Sequence, residues 1–338
     1  MKKLEQHLFN ATSSSFFIIF TILFSITSVI HLVKIAAYTS VIKISFFELF
    51  LFYSYAMPNI LFYTSAISMF IALVLTFSKI SKDYELIIFA SFGLNPLKNI
   101  KIMAFTVFLF SLTVSIVSLA LIPKANFLSS ELFDAKKKEA NFNISPNEFG
   151  QKFGKWMIFI EERQGNIFRE VKLFSNNNNK DTFIASSTAL LSNVNGNLNL
   201  SLNNGKAYIA NDSKIDQINF QNMSFNDSIS DSQIEPFNSL SDYWSKITDN
   251  QKRAKDLSIY ILISFFPFIS LVLILAISVY NPRYESNFAI FYAIVSVILY
   301  YSMSYFFATN YGLKALFLIP VWFLLSTVVY NFRISKRY

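Results

Sequence analysis

Two histidines, His7 and His31, are the only imidazoles in the chain, and their spacing fits no HExxH or related metal-binding pattern. No cysteine occurs, which excludes thiol catalysis, disulfides and Cys-based zinc sites. Glu161 and Glu162 are a carboxylate pair in sequence only. As neighbours on a strand they point to opposite faces and cannot share a substrate. Residues 150–155 (GQKFGK) look superficially like a phosphate loop. They have three residues between the glycines where such a loop has four, and Trp156 stands where Ser or Thr is needed. The chain is therefore expected to be no enzyme and to hold no cofactor or metal. Any work against a gradient must draw its energy from a partner or an ion.

The remaining candidates are charged groups within or beside apolar runs, so the elements that carry them matter. Of the 338 residues, 53% are hydrophobic, 17% aromatic and 15% charged, a composition for which lipid is the solvent. The formal charge of +8 is unevenly spread: residues 124–255 have 16 basic and 15 acidic side chains, and the rest has 13 and 6. The basic excess sits in the apolar part, where topology explains it better than a polyanion, and nucleic acid is not expected as a partner.

Six runs are long enough to cross a hydrocarbon core about 30 Å thick, at about 20 helical residues each. They lie near residues 14–35, 54–77, 100–122, 257–280, 287–308 and 313–333. The first follows Met1-Lys2-Lys3 and reads as an uncleaved helix, being long for a signal peptide. Lys2, Lys3, Lys79, Lys82, Lys98, Lys101, Arg283, Arg333, Lys336 and Arg337 fall on one side of these spans. Lys34, Lys43 and Lys314 are the cations of the other side's short segments. The positive-inside rule then puts both termini in the cytoplasm and the large central segment outside. The expected division is residues 1–123 with three spans, 124–255 as an exported domain with helical connectors, and 256–338 with three more spans.

The central segment alternates with period two, as in residues 197–203 (NLNLSLN), and Trp156, Ile158 and Ile160 share one strand face. Further strands are expected over 167–174, 181–191, 206–210 and 215–225. Turns are expected at Gly165-Asn166, Asn195-Gly196 and Asn204-Gly205, pairs that tolerate positive φ in hairpins. An antiparallel sandwich or jelly-roll follows. The fold class expected is thus a polytopic α-helical membrane protein with an inserted periplasmic β-jelly-roll.

Between the second and third spans, residues 78–96 read SKISKDYELIIFASFGLNP. Ser81 is placed to cap a short helix over about 81–93, with Asp83 and Glu85 in its first turn, Leu86, Phe89 and Ala90 on one face, and Gly93 and Pro96 ending it. Such a helix either docks in a groove of a soluble subunit or lies at the membrane interface. Lys34 sits in the outward third of the first span. Charge at membrane depth is either functional or a lysine snorkelling to the interface.

The region from Pro58 through residues 78–96 resembles the signature of the lipopolysaccharide-export permeases, the LptF/LptG family. The typical pattern L-G-[RK]-[LM]-x-x-[DE]-x-E-[LI]-x-x-[LM]-x-A-x-G meets Lys79, Ile80, Asp83, Glu85, Leu86, Ala90 or Ser91, and Gly93, with Ser78 in place of the usual Gly. The layout of three spans, a β domain and three spans is also similar to the family's. Residues 151–162 (QKFGKWMIFIEE) are slightly closer to F-type members. The resemblance implies a transmembrane subunit, paired with a paralogous permease on a cytoplasmic ABC ATPase dimer. The assembly would extract lipopolysaccharide from the inner membrane and pass it to periplasmic jelly-roll bridge proteins. Lys82, Asp83, Glu85, Leu86, Phe89 and Gly93 would then couple to the ATPase, which binds the ATP. Lys34, with Lys43 and Lys314 as further candidates, would meet the lipid A phosphates. The competing readings are an ion-driven secondary transporter, for which Lys34 lacks an acidic companion within the spans, and a membrane-anchored sensor or scaffold, for which a cytoplasmic output domain is missing.

Overall fold

The computed structural model describes residues 2–38, 44–85, 96–142, 146–148, 151–153, 156–165, 167–177, 180–194, 197–211, 214–227, 237, 239–248, 250–280 and 287–335. The chain divides into two compact units, one of Met1–Ala37, Phe46–Ser129 and Pro236–Tyr338, the other of Tyr38–Ser45 and Ser130–Glu235.

The first unit is helical. Its elements are α1 (Lys2–Tyr38), α2 (Phe46–Lys82), α3 (Pro96–Phe142, whose residues from Ser130 on belong to the second unit), the short α4 (Leu240–Ser245), α5 (Gln251–Ile269), α6 (Leu271–Ser278), α7 (Ala289–Tyr311), a 3-10 turn (Gly312–Phe317) and α8 (Leu318–Tyr330). Among the described residues four runs are long and apolar enough to cross a membrane: Gln6–Ala37, Phe46–Lys82, Met103–Lys136 and Ala289–Arg333. The pair α5 and α6, bent by 47°, adds a fifth. The bend has a local cause. Pro267 has no N–H to give to the preceding turn, and Ser270 stands at the break, where its hydroxyl accepts a 3.0 Å hydrogen bond from the Trp322 indole.

The expected fifth and sixth spans form the single helical run Ala289–Arg333, but this run is not straight. Tyr300 and Trp322 would lie roughly 33 Å apart on one straight helix. Their rings are 4.9 Å apart, so the chain doubles back between them. Gly312 is where it turns, at φ +54°, a conformation with little steric cost for a residue lacking Cβ. Its carbonyl accepts from Ser258 Oγ at 3.0 Å, which ties the turn to α5.

α2 is the central helix of this unit. Phe70 packs on Phe266 with rings 4.6 Å apart, Phe62 packs on Tyr260, and Phe266 stacks on Tyr300, whose hydroxyl donates to the Leu262 carbonyl. Large side chains buried in this way each contribute about 1.5–3 kcal/mol relative to exposure to water. By contrast, α1 leaves most of its apolar surface outward, including Phe17, Ile22, Ile26, Val29 and Val33. It meets the others through Phe16 on Phe110 and through the Tyr53 hydroxyl donating to Ser28.

The second unit is an antiparallel sheet in the order β1-β2-β4-β5-β6-β7, with the short β3 also on β4. Its strands are β1 (Gln151–Phe153), β2 (Trp156–Phe159), β3 (Glu162–Gln164), β4 (Ile167–Asn177), β5 (Lys180–Val194), β6 (Asn197–Asn211) and β7 (Lys214–Asp227). The shared face of Trp156, Ile158 and Ile160 is present, with Ile158 and Ile160 buried and Trp156 packed against the same core. Gly165, at φ +64°, makes its expected turn, whereas Asn195-Gly196 lies outside the described residues.

One expectation is corrected here. Asn204-Gly205 is no hairpin turn but lies in the middle of β6, so the strands expected over 197–203 and 206–210 are one. The described strands form a single antiparallel sheet. Each neighbouring pair is antiparallel and β4 to β7 follow in chain order, a meander without a Greek-key crossover.

The meander nevertheless encloses a core, because it is creased. Glu170, Ser187, Asn204 and Gln221 are skipped in the pairing of successive strands, in one row across β4 to β7. Glu170 and Asn204 in that row have φ +51°. Across it the inward alternation slips by one residue: Phe168 is followed by Val171, Ser186 by Ala189 and Leu202 by Ala207, all buried. At that level one residue of every strand is left out of the pairing while the register on either side stays the same, an interruption of the ladder at which the whole sheet bends. In a flat sheet Trp156 on β2 and Phe225 on β7 would stand roughly 35 Å apart. Their rings lie 5.1 Å apart, so the sheet folds over and packs one corner against the opposite one.

Candidate functional site: the ends of the helical unit

At one end of the helical unit, α2 runs through Ser81 to Lys82, one turn further than expected. Ser81 is therefore not the cap of a following helix. Asp83 N–H donates to Lys79 O at 2.9 Å and Tyr84 N–H to Ser81 O at 3.3 Å, and Tyr84 turns the chain at φ +59°. Glu85 is helical again. The remaining expected coupling residues, Leu86, Phe89 and Gly93, lie outside the described residues, as does Lys43.

Of the coupling residues that are described, Lys82 and Asp83 are exposed. Glu85 is half-buried, and its Oε2 lies 3.2 Å from Nε2 of His7. When Nε2 carries a proton, His7 donates to the carboxylate and so joins the first turns of α1 to the segment after α2.

The Ser81 hydroxyl has another use. It donates to the Tyr280 carbonyl at 2.6 Å and accepts from the Tyr280 N–H at 3.0 Å, all within the buried interior. One side chain thereby satisfies both backbone groups of Tyr280, the second residue after α6, where the helix no longer supplies partners. One turn back on the same face, Ser78 accepts from Asn287 Nδ2 at 3.0 Å, and Asn287 Oδ1 accepts from Ala289 N–H at 3.1 Å at the start of α7. The sequence offered one clue to Ser78 and Ser81: two serines three apart in an apolar helix share a face. Tyr280 and Asn287 had no local signature.

Another cluster forms where α4 packs on α3 and α5. Trp244 Nε1 donates to Leu119 O at 3.1 Å, and buried Arg253 donates to Tyr243 O at 2.8 Å while its guanidinium lies 4.5 Å from the Tyr243 ring centre. Burial, with Asp256 nearby, holds the Tyr243 hydroxyl above its ordinary pKa and therefore neutral. Lys255 places Nζ 4.3 Å over the Tyr305 ring. Of the expected substrate contacts, Lys34 is exposed one turn before the end of α1, and Lys314 is exposed in the Gly312–Phe317 turn. The described contacts do not bring Lys34 and Lys314 together. Lys255 was missed because its use depends on an aromatic ring on another helix.

The model of the lipopolysaccharide export system permease LptF/LptG family matches residues 6–333, nearly the whole chain. The chain belongs to the LptF/LptG family. A search of curated proteins finds no match. As an LptF/LptG member it is a permease subunit of lipopolysaccharide export, an inner-membrane transport component. The family description covers both paralogues.

Proposed function

We propose that this permease is one half of the transmembrane part of an ATP-driven exporter, working beside a paralogous permease on a dimer of cytoplasmic ABC ATPases. The observation that carries this reading is the family match over residues 6–333, which includes the segment after α2. Lys82, Asp83, Glu85, Leu86, Phe89 and Gly93 form the coupling surface. ATP and its hydrolysis belong to the partner.

In this reading the helices cross the membrane six times. The reversal at Gly312 supports counting Ala289–Arg333 as two crossings, since a helical run of that length is far longer than a core about 30 Å thick requires. Both termini are then cytoplasmic and the β unit periplasmic, as the ten cations of the inner segments favour. Lys34, Lys43 and Lys314, with Lys255 added, are the cations available to lipid A phosphates at the outer end. The apolar interior of the creased sheet would receive the acyl chains on their way to the bridge proteins.

The test is affinity purification of the tagged chain from mild detergent, as wild type and as Glu85→Lys, probed for a co-purifying ATPase and for lipopolysaccharide. The reading expects the ATPase with wild type and its loss from the variant, because the new ammonium replaces the carboxylate beside His7 and reverses the charge of the coupling segment. Absence of an ATPase from wild type refutes it.

A further inference from the structure

The bonds around Ser78 and Ser81 join parts of the chain that the three-plus-three layout keeps apart. α2 belongs to the first group of helices, while Tyr280 and Asn287 are the last described residue after α6 and the first before α7. We propose that Ser78 and Ser81, with Asn287 and the Tyr280 backbone, form a permanent clamp that makes the coupling segment, the exit from α6 and the start of α7 move as one body. Ser78 and Ser81 are thus positioning residues: they touch no substrate, and they pass a stroke received at the coupling segment to both groups of helices. This rests on the exporter reading above.

The physical reason lies in what separation would expose. Parting α2 from Tyr280 strands a buried N–H, a carbonyl and a hydroxyl together, and a buried polar group left without a partner is far costlier than one that water can reach. Asn287 adds a further link, since its amide spans Ser78 Oγ and the first turn of α7. A contact meant to open and close in each cycle would be built from groups that water can satisfy. The exposed His7 and Glu85 pair, at the same end, is of that kind.

The absence of cysteine from the chain allows a clean test. Ser78→Cys/Asn287→Cys is assembled with the ATPase and the paralogous permease in proteoliposomes containing lipopolysaccharide. Lipopolysaccharide released per ATP hydrolysed is measured before and after a short, reductant-cleavable thiol cross-linker. The clamp predicts that the double variant hydrolyses ATP but releases less lipopolysaccharide per ATP, that cross-linking restores the ratio, and that reductant removes it again. Ser81→Ala should lose coupling in the same way and Ser81→Thr, which keeps the hydroxyl, should retain it. Release that stops on cross-linking and returns with reductant overturns the clamp, because the two segments must then part. A ratio unaffected by any of these changes also overturns it. Lack of ATP-driven release by the unsubstituted complex overturns the exporter reading itself, which separates the two failures.

Discussion

Replacing Gly205 by alanine tests whether the crease is what gives the β unit its shape. A Cβ at this position would meet the ring of Phe220 and stand 2.5 Å from the carbonyl oxygen of Ala185. The ring is a side chain and can turn aside. The carbonyl cannot, because Ala185 is paired with Lys206 in the ladder between β5 and β6. Overpacking of this kind costs about 1–3 kcal/mol, and the backbone clash places Gly205→Ala near the upper end, at about 3 kcal/mol. With a urea slope of about 1–3 kcal/mol per molar, the unfolding midpoint should fall by about 1–3 M. The chain has three tryptophans, so Trp244→Phe and Trp322→Phe leave Trp156 as a fluorescent reporter inside the β unit. The full chain in detergent is titrated with urea, with and without Gly205→Ala. Asn204→Gly serves as the control, since glycine accepts the φ of +51° and should shift stability by less than about 1 kcal/mol. A midpoint for Gly205→Ala within about 0.3 M of the parent would refute the argument, because the strands would then be free to separate at that row.

Closure of the sheet on itself has its own signature. A double-mutant cycle of Trp156→Ala and Phe225→Ala should show a coupling of about 0.5–1.5 kcal/mol, while an open sheet predicts none. In the helical unit, Arg253→Met should cost about 2–3 kcal/mol by removing the charged bond to the Tyr243 carbonyl, and release of α4 should shift Trp244 emission to the red. Unchanged Trp244 emission would show that Arg253 does not hold α4 in place.

Some elements were legible in the sequence because the forces that form them are local. The apolar run in α2 needs no partner to be helical in lipid, since a helix satisfies its own backbone hydrogen bonds. The strand face of Trp156, Ile158 and Ile160 follows from the pleat alone. At Ser81 the same local reasoning failed. A serine followed by Asp83 and Glu85 has the composition of a cap, and only the arrival of Tyr280 from far along the chain offers its hydroxyl a buried pair of backbone groups instead. The segment that carries the family signature could therefore be located in the sequence, while what grips its first residues could not.

What the sequence determined by itself is the set of long apolar helices, the inserted strands and the residues that carry the family signature, all properties of runs of neighbouring residues. Tertiary structure alone decided how these runs close. An Asn-Gly pair adopts positive φ at Asn204 equally well in a hairpin or in a crease, and the choice falls to the strands alongside, where Ser187 and Gln221 leave the pairing at the same level and Phe220 fills the space above Gly205. Likewise Gly312 permits a reversal, but the packing of Tyr300, stacked on Phe266 and edge-on to Trp322, makes it one. Local conformation offers a few states of nearly equal energy, and contacts between residues distant in sequence select among them.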